Sequence, residues 1–273
     1  FGEDLVAVFL DTYHDSQSAY VFMANPYGIQ ADLMMNSDGN GNPQSADFIW
    51  ESKGTLTENG YTVEMKIPLQ SIRFPERDVV TMGVGFHRQI IRTSEKTMYP
   101  EISPEKGSLI SQSATVKYTG LKNKQLLEIL PAVTWNRQDS HENGSMQQIH
   151  NKRDFGITGK IGLTSTLTLD GTYNPDFSQV EADARQLAEV NSRYGIFYSE
   201  TRPFFLEGQE QFDIAGLTLS SPVQRVVHTR TIVNPVAGVK LSGKVGKNSS
   251  LASIIAVDEY TGNSSADKAN VGI

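Results

Sequence analysis

The sequence predicts an all-β protein: an antiparallel β-sandwich over residues 1–120, then, over residues 121–273, the first strands of an antiparallel transmembrane β-barrel. Three observations carry this. Short β-type runs bounded by turn residues fill the first half, longer runs with strict apolar–polar alternation fill the second, and tight turns alternate with long polar loops between the longer runs.

The short runs are residues 5–10, 19–24, 30–35, 48–52, 61–67, 80–89 and 114–118, and none holds a helical period for three turns. Asn25-Pro26-Tyr27-Gly28 reads as a turn, with proline presetting one position and glycine free to take positive φ, and Glu58-Asn59-Gly60 as a hairpin. In residues 61–67, Tyr61, Val63, Met65 and Ile67 share one face and Thr62, Glu64 and Lys66 the other, until Pro68 ends the ladder. About seven short strands in this length suggest an antiparallel sandwich.

Composition narrows the function classes. The 273 residues are 38% hydrophobic and 20% charged, as in folded proteins. Lys and Arg number 24 against 31 Asp and Glu, a formal charge of −7, so nucleic acid is not an expected partner. Cysteine is absent, which removes disulfides, thiolate metal sites and cysteine nucleophiles. No apolar run reaches the roughly 18 residues of a transmembrane helix, a test that says nothing of membrane strands. The chain starts on a strand with no signal-peptide pattern, and residues 269–273 look like the opening of another strand, so a piece of a longer protein is expected.

No catalytic residues emerge. There is no G-x-S-x-G elbow and no phosphate-cradling glycine loop, and the 5 histidines lack metal-ligand spacing. Asp38, Asn40 and Asn42 put oxygen ligands at alternate positions beside Gly39 and Gly41, the pattern of a calcium loop, though without its closing glutamate. Calcium is the one cofactor the sequence raises, and a long hairpin loop accounts for the same residues.

The run GYTVEMKIPLQSIRF at residues 60–74, with FLDTYHDSQSAYVFMANPYGIQAD upstream and DFIWE at residues 47–51, resembles the carbohydrate-binding module family 9-like domain. The resemblance implies a β-sandwich and raises sugar binding. Sugar sites present aromatic faces flanked by polar side chains, which makes Trp50, Tyr20, Tyr27 and Asp47 the candidates. Sugar-binding members of that family clamp their ligand between two tryptophans, and this half holds only Trp50, so core packing of Trp50 and Tyr61 is the preferred reading.

In the second half Phe155, Ile157, Ile161 and Leu163 oppose Asp154, Thr158 and Lys160; after Thr164-Ser165, Leu167, Leu169 and Tyr173 oppose Thr166, Thr168, Asp170 and Thr172. Val239, Leu241 and Val245 against Lys240, Ser242 and Lys244 repeat the pattern, as do Leu251, Ile255 and Val257. A water-soluble sheet alternates equally; strand length, the asymmetry of turns and loops, and Trp135 and Tyr173 near strand ends favour the membrane.

Between these strands lies NPDFSQVEAD at residues 174–183 and SETRPFFLEGQEQF at residues 199–212. These motifs resemble an outer-membrane barrel family, classed as a domain of unknown function, that commonly follows a family 9-like sandwich. The resemblance implies a bacterial outer-membrane protein with a periplasmic sandwich, with outer-membrane lipid, glycans and other outer-membrane or periplasmic proteins as partners. The alternative is a secreted soluble carbohydrate-binding protein or a module of an exported carbohydrate-active enzyme. With tight turns facing the periplasm, parity requires zero or two strands between residues 173 and 236, and two is the natural count, at residues 190–198 and 224–232. Asp176, Glu181 and Asp183 then read as a lumen-facing network. Arg202 and Glu207 would anchor the strand ends by ion pairing at the periplasmic side or in the lumen, while Phe204 and Phe205 dock on an apolar surface such as the sandwich; a plug or gate is the other reading.

Overall fold

The computed structural model describes residues 2–37, 41–42, 48–142, 145–175, 202–206, 208, 212, 229, 232, 235–246, 249–259 and 268–272. Among them the chain is all-β, with antiparallel sheets and almost no helix. The first sheet contains β1 (Leu5–Asp11), β2 (Ser18–Ala24), β3 (Gln30–Asn36), β4 (Gly41–Asn42), β7 (Val79–Ile90) and β8 (Glu95–Tyr99), in the order β4-β3-β2-β1-β7-β8, with β9 (Ala114–Thr119) beside β7. The hairpin β5 (Glu51–Thr57) and β6 (Gly60–Lys66) is a separate sheet.

Strand alternation gives the first sheet two apolar faces. Leu5, Ala7 and Phe9 join Ala19, Val21, Met23 and Met35 on one, capped by Leu109 and Ile110 from the segment after β8. Tyr20, Phe22, Val80 and Met82 form the other and meet Val63 and Met65 of β6, with Trp50, Ile72 and Phe74 filling the gap. This is a sandwich interior. The expected strand at residues 48–52 begins later, at Glu51, because Phe48 and Trp50 turn into that interior instead of a ladder.

The turn before β3 forms as its residues imply. Gly28 takes φ +81° and donates its N–H to the Asn25 carbonyl, while the Asn25 side chain accepts from the Tyr27 and Ile29 N–H groups. The turn then packs directly on β5, where a Cβ at Gly54 would lie 2.1 Å from the Pro26 oxygen.

A third, six-stranded sheet runs in sequence order: β10 (Leu127–Glu142), β11 (Ser145–Gly162), β12 (Leu167–Tyr173), β13 (Pro235–Val245), β14 (Ser249–Glu259) and β15 (Lys268–Gly272). Here one expectation is corrected. β12 pairs directly with β13, from Leu167 opposite Gly243 to Tyr173 opposite Ala237, and the ladder continues as Asn174 donates its N–H to the Val236 carbonyl. No strand lies between them in the sheet, since both bonding edges of β12 are occupied by β11 and β13. Parity allowed zero as well as two, and the strands expected at residues 190–198 and 224–232 fall almost wholly outside the described residues. Asn174 and Pro235 stand at the end of the sheet opposite the tight turn at residues 163–166.

This sheet has the polarity of its faces reversed relative to the sandwich. Val133 is 79% exposed and Ile255 56%, and Ile129, Trp135, Phe155, Tyr173 and Val239 are likewise open. The opposite face carries Thr168, Asp170, Thr172, Lys240 and Ser242, all buried.

The two units meet at the tight-turn end. Only residues 120–126 separate β9 from β10; Leu121 packs in the sandwich interior, the Asn123 amide donates to the Phe74 carbonyl, and the Leu126 carbonyl accepts from Gly162. From the β1–β2 loop, Asp15 pairs with Lys244, whose ammonium also lies 4.4 Å from the centre of the Tyr13 ring. That loop holds His14 and Ser16 at positive φ around the buried Asp11 carboxylate, which accepts from the Ser16 N–H at 2.9 Å.

Two predictions follow from this packing. Phe22, fully buried, sits at the centre of the sandwich, and Phe22→Ala should cost about 3–5 kcal/mol. Denaturant unfolding followed by Trp50 fluorescence in a Trp135→Phe background measures it. Burial raises the Asp11 pKa above its ordinary 3.8. Just above that value the unfolded chain has released a proton the native state still holds, so Asp11 makes stability fall as pH rises through this window. Asp11→Asn should flatten that slope in unfolding midpoints measured across the acidic range.

Candidate functional site

On the covered face of the third sheet, register brings four charges into one row. Glu128 stands opposite Lys160, Lys160 opposite Asp170, and Asp170 opposite Lys240, alternating in sign across four neighbouring strands. Lys160 Nζ lies 3.4 Å from Glu128 Oε2 and Lys240 Nζ 3.7 Å from Asp170 Oδ2. Cross-strand neighbours of opposite sign attract, and a charge as buried as Lys240 persists only when paired and hydrogen-bonded. Lys240 meets both needs, donating also to the Phe204 carbonyl at 2.6 Å. The adjacent row is uncharged, with the Thr158 and Thr172 hydroxyls 2.8 Å apart.

Against the Asp170–Lys240 end of the row sits a short helical turn, α1 (Pro203–Leu206), closed by the Phe205 N–H donating to the Arg202 carbonyl. The buried Arg202 guanidinium donates to the Thr229 carbonyl at 2.9 Å and the Ile232 carbonyl at 2.8 Å, and lies 4.1 Å from the centre of the Phe205 ring. Its planar fork thereby ties together backbone far apart in sequence. Phe204 and Phe205 pack edge to face with centroids 4.9 Å apart and, with Phe212 and Ile232, cover Ile254 and Ala256 of β14. Gly238 makes room, since a Cβ there would meet the Phe204 ring at 3.0 Å. Gly208 lies beside Ser242, whose buried hydroxyl has no hydrogen-bond partner among the described residues.

Phe204 and Phe205 thus dock on an apolar patch of the sheet itself, Ile254 and Ala256, in place of the sandwich. Arg202 binds the Thr229 and Ile232 carbonyls, and its expected pairing with Glu207 falls outside the described residues. Glu207, Asp176, Glu181 and Asp183 lie outside the described residues.

In the sandwich the aromatic candidates separate. Trp50 is buried, its indole N–H donating to Asp32 at 2.8 Å and its ring meeting Phe22 edge-on at 5.3 Å. Tyr20 is also buried, its hydroxyl accepting from the Arg73 N–H at 3.0 Å. Both rings belong to the core, and Tyr27 alone of the three is open, at the tip of its turn. Asp47, Asp38 and Asn40 lie outside the described residues, and Asn42 is described only as backbone of β4. Among the described residues no cluster of three or more His, Asp or Glu side chains could hold a metal ion.

An exposed aromatic pair escaped the sequence reading. Phe86 on β7 stands opposite Tyr99 on β8, ring centroids 6.5 Å apart, with Arg88 two residues on and its guanidinium 5.8 Å from the centre of the Tyr61 ring. By alternation Phe86 shares the face of Val80 and Met82 and reads as core, yet it is exposed. Its register with Tyr99 was the missing signal, as it was for the charged row.

Residues 1–102 match the family described as carbohydrate family 9 binding domain-like, and residues 127–250 match a domain of unknown function, DUF5916. The chain joins a family 9-like domain to a DUF5916 domain. Among curated proteins and among solved structures nothing matches significantly. The DUF5916 match takes in the whole charged row, Arg202 and the Phe204–Phe205 pair; the family 9-like match takes in Trp50, Phe86 and Tyr99. Neither description states a location.

Within the DUF5916 domain Arg202 is the fastening of α1. Arg202→Ala removes two charge-assisted hydrogen bonds and should cost about 2–4 kcal/mol of local stability. Limited proteolysis should cut between residues 203 and 232 sooner in that variant, with Arg202→Lys intermediate and cleavage within the sandwich unchanged.

Proposed function

We propose that the protein is a bacterial outer-membrane β-barrel protein in which the DUF5916 sheet forms part of the barrel wall and the family 9-like sandwich binds carbohydrate at the periplasmic end. The observation that carries this reading is the reversed polarity of the third sheet. A soluble sheet with one covered face buries its apolar side. Here the covered side holds Thr168, Asp170, Thr172, Lys240 and Ser242, with Ile254 and Ala256 apolar only beneath α1, while Ile129, Val133, Trp135, Phe155, Val239 and Ile255 stand open. Soluble monomers rarely leave so extended an apolar face in water, and barrel strands present one to lipid.

Topology supports the orientation. Outer-membrane barrels turn tightly on the periplasmic side and loop widely outside. The linker and the Lys244–Asp15 contact both lie at the tight-turn end of this sheet. The sandwich is then periplasmic, and residues 174–234 leave from the outer end, with Arg202 and the two phenylalanines returning onto the lumen side. Charges alternating across that side suit a water-filled path for polar solutes, and a carbohydrate-binding domain at its inner mouth suits retention or uptake of glycans.

The full polypeptide should require detergent for extraction and migrate in a heat-modifiable way on electrophoresis. Val239→Arg or Ile255→Arg should destabilise the folded barrel by about 2–4 kcal/mol, read from folding titrations in lipid vesicles. A protein that is soluble and monodisperse without detergent, and indifferent to both substitutions, would leave a secreted carbohydrate-binding protein as the reading that survives.

A further inference from the structure

We infer that the sugar-binding surface of the family 9-like domain is the shelf formed by Phe86 and Tyr99, with Arg88 and the Tyr61 edge of the β5–β6 hairpin beside it, and that it takes a pyranose unit of an oligosaccharide. The inference rests on the reading that this domain binds carbohydrate. It moves the site away from Trp50 and Tyr20, whose rings the core uses.

Along β7, Val80, Met82 and Val84 are buried, and then Phe86, on the same face, is 49% exposed; its partner Tyr99 is 63% exposed. The two rings tilt by 38° and are held on paired strands, so they make a preset apolar floor whose ordering costs little on binding. The CH face of a pyranose stacks on such a floor.

Polar groups border it. Arg88 projects from the same face of β7, and its register partner Thr97 is exposed on β8. Arg88 leans over the Tyr61 ring, which ends the hairpin side of the shelf. A guanidinium fork and hydroxyls beside an aromatic floor are the polar complement a ring of hydroxyls requires. Tyr27, the other open tyrosine among the candidates, has no aromatic partner in its turn among the described contacts, and serves as the control.

The test is calorimetric titration of the full chain, in detergent where it needs it, with gluco-, xylo- and chito-oligosaccharides at up to millimolar concentration. Wild-type protein should bind at least one of them. Tyr99→Ala, Phe86→Ala and Arg88→Ala should each weaken that binding at least tenfold, Tyr99→Trp should retain it, and Tyr27→Ala should leave it unchanged. Tyr99 is exposed enough that its variants fold whatever becomes of Phe86→Ala, and unchanged Trp50 fluorescence checks this. Sugar binding that survives both Tyr99→Ala and Arg88→Ala overturns the shelf while leaving the carbohydrate reading intact; no binding of any sugar by wild-type protein overturns both.

Discussion

The register of β12 between β11 and β13 is the constraint on which the rest of the DUF5916 domain depends. Side chains alternate with a period of two, so a slip of one residue would carry Asp170 to the apolar face and Leu169 into the polar one. Lys160 and Lys240 flank Asp170 from either side at matched positions, and a slip would strip a buried lysine of its carboxylate. The charges thus act as register locks. In a sheet whose apolar side is open, core packing cannot do this work, because that side has no core.

That register also places Asn174 beside Val236 at one end of the sheet, because β12 and β13 are direct neighbours. Arg202 and Lys240 give this part of the chain fixed points. Both spend a cation on backbone carbonyls, Arg202 on those of Thr229 and Ile232 and Lys240 on that of Phe204. Carbonyl groups at irregular backbone have no ladder to satisfy them, so a buried cation and unladdered carbonyls offset each other's desolvation.

Much of this was legible in the sequence, and what was not has a physical cause. Alternation in residues 154–173 and 239–257 marked the strands and their two faces, and Pro68 marked the end of β6. Parity, however, is satisfied by zero strands as well as two, and only hydrogen-bond register separates them. The carbonyl partners of Arg202 could not be read, because carbonyls are common to every residue. Trp50 and Tyr20 drew attention as aromatics, but their commitment to Asp32, Phe22 and Arg73 depends on long-range packing. Phe86 was hidden in the opposite sense: its strand pattern says core, and its exposure depends on packing from outside its own strand.

The two halves solve opposite solvent problems within one chain. The sandwich hides Phe22, Trp50 and Phe74 and shows Glu64 and Lys66, as a domain in water must; the DUF5916 sheet hides Asp170 and Lys240 and shows Val133 and Ile255. The boundary between the two units is short and polar. Residues 120–126 contain four polar side chains in a row, Lys122, Asn123, Lys124 and Gln125, bracketed by Leu121, which the sandwich takes, and Leu126, which meets the first strand pair. The contact across the boundary is likewise a charge pair with a cation over an aromatic ring, Lys244 with Asp15 and Tyr13, and not an apolar seam. Such a contact links the two units without burying apolar surface between them.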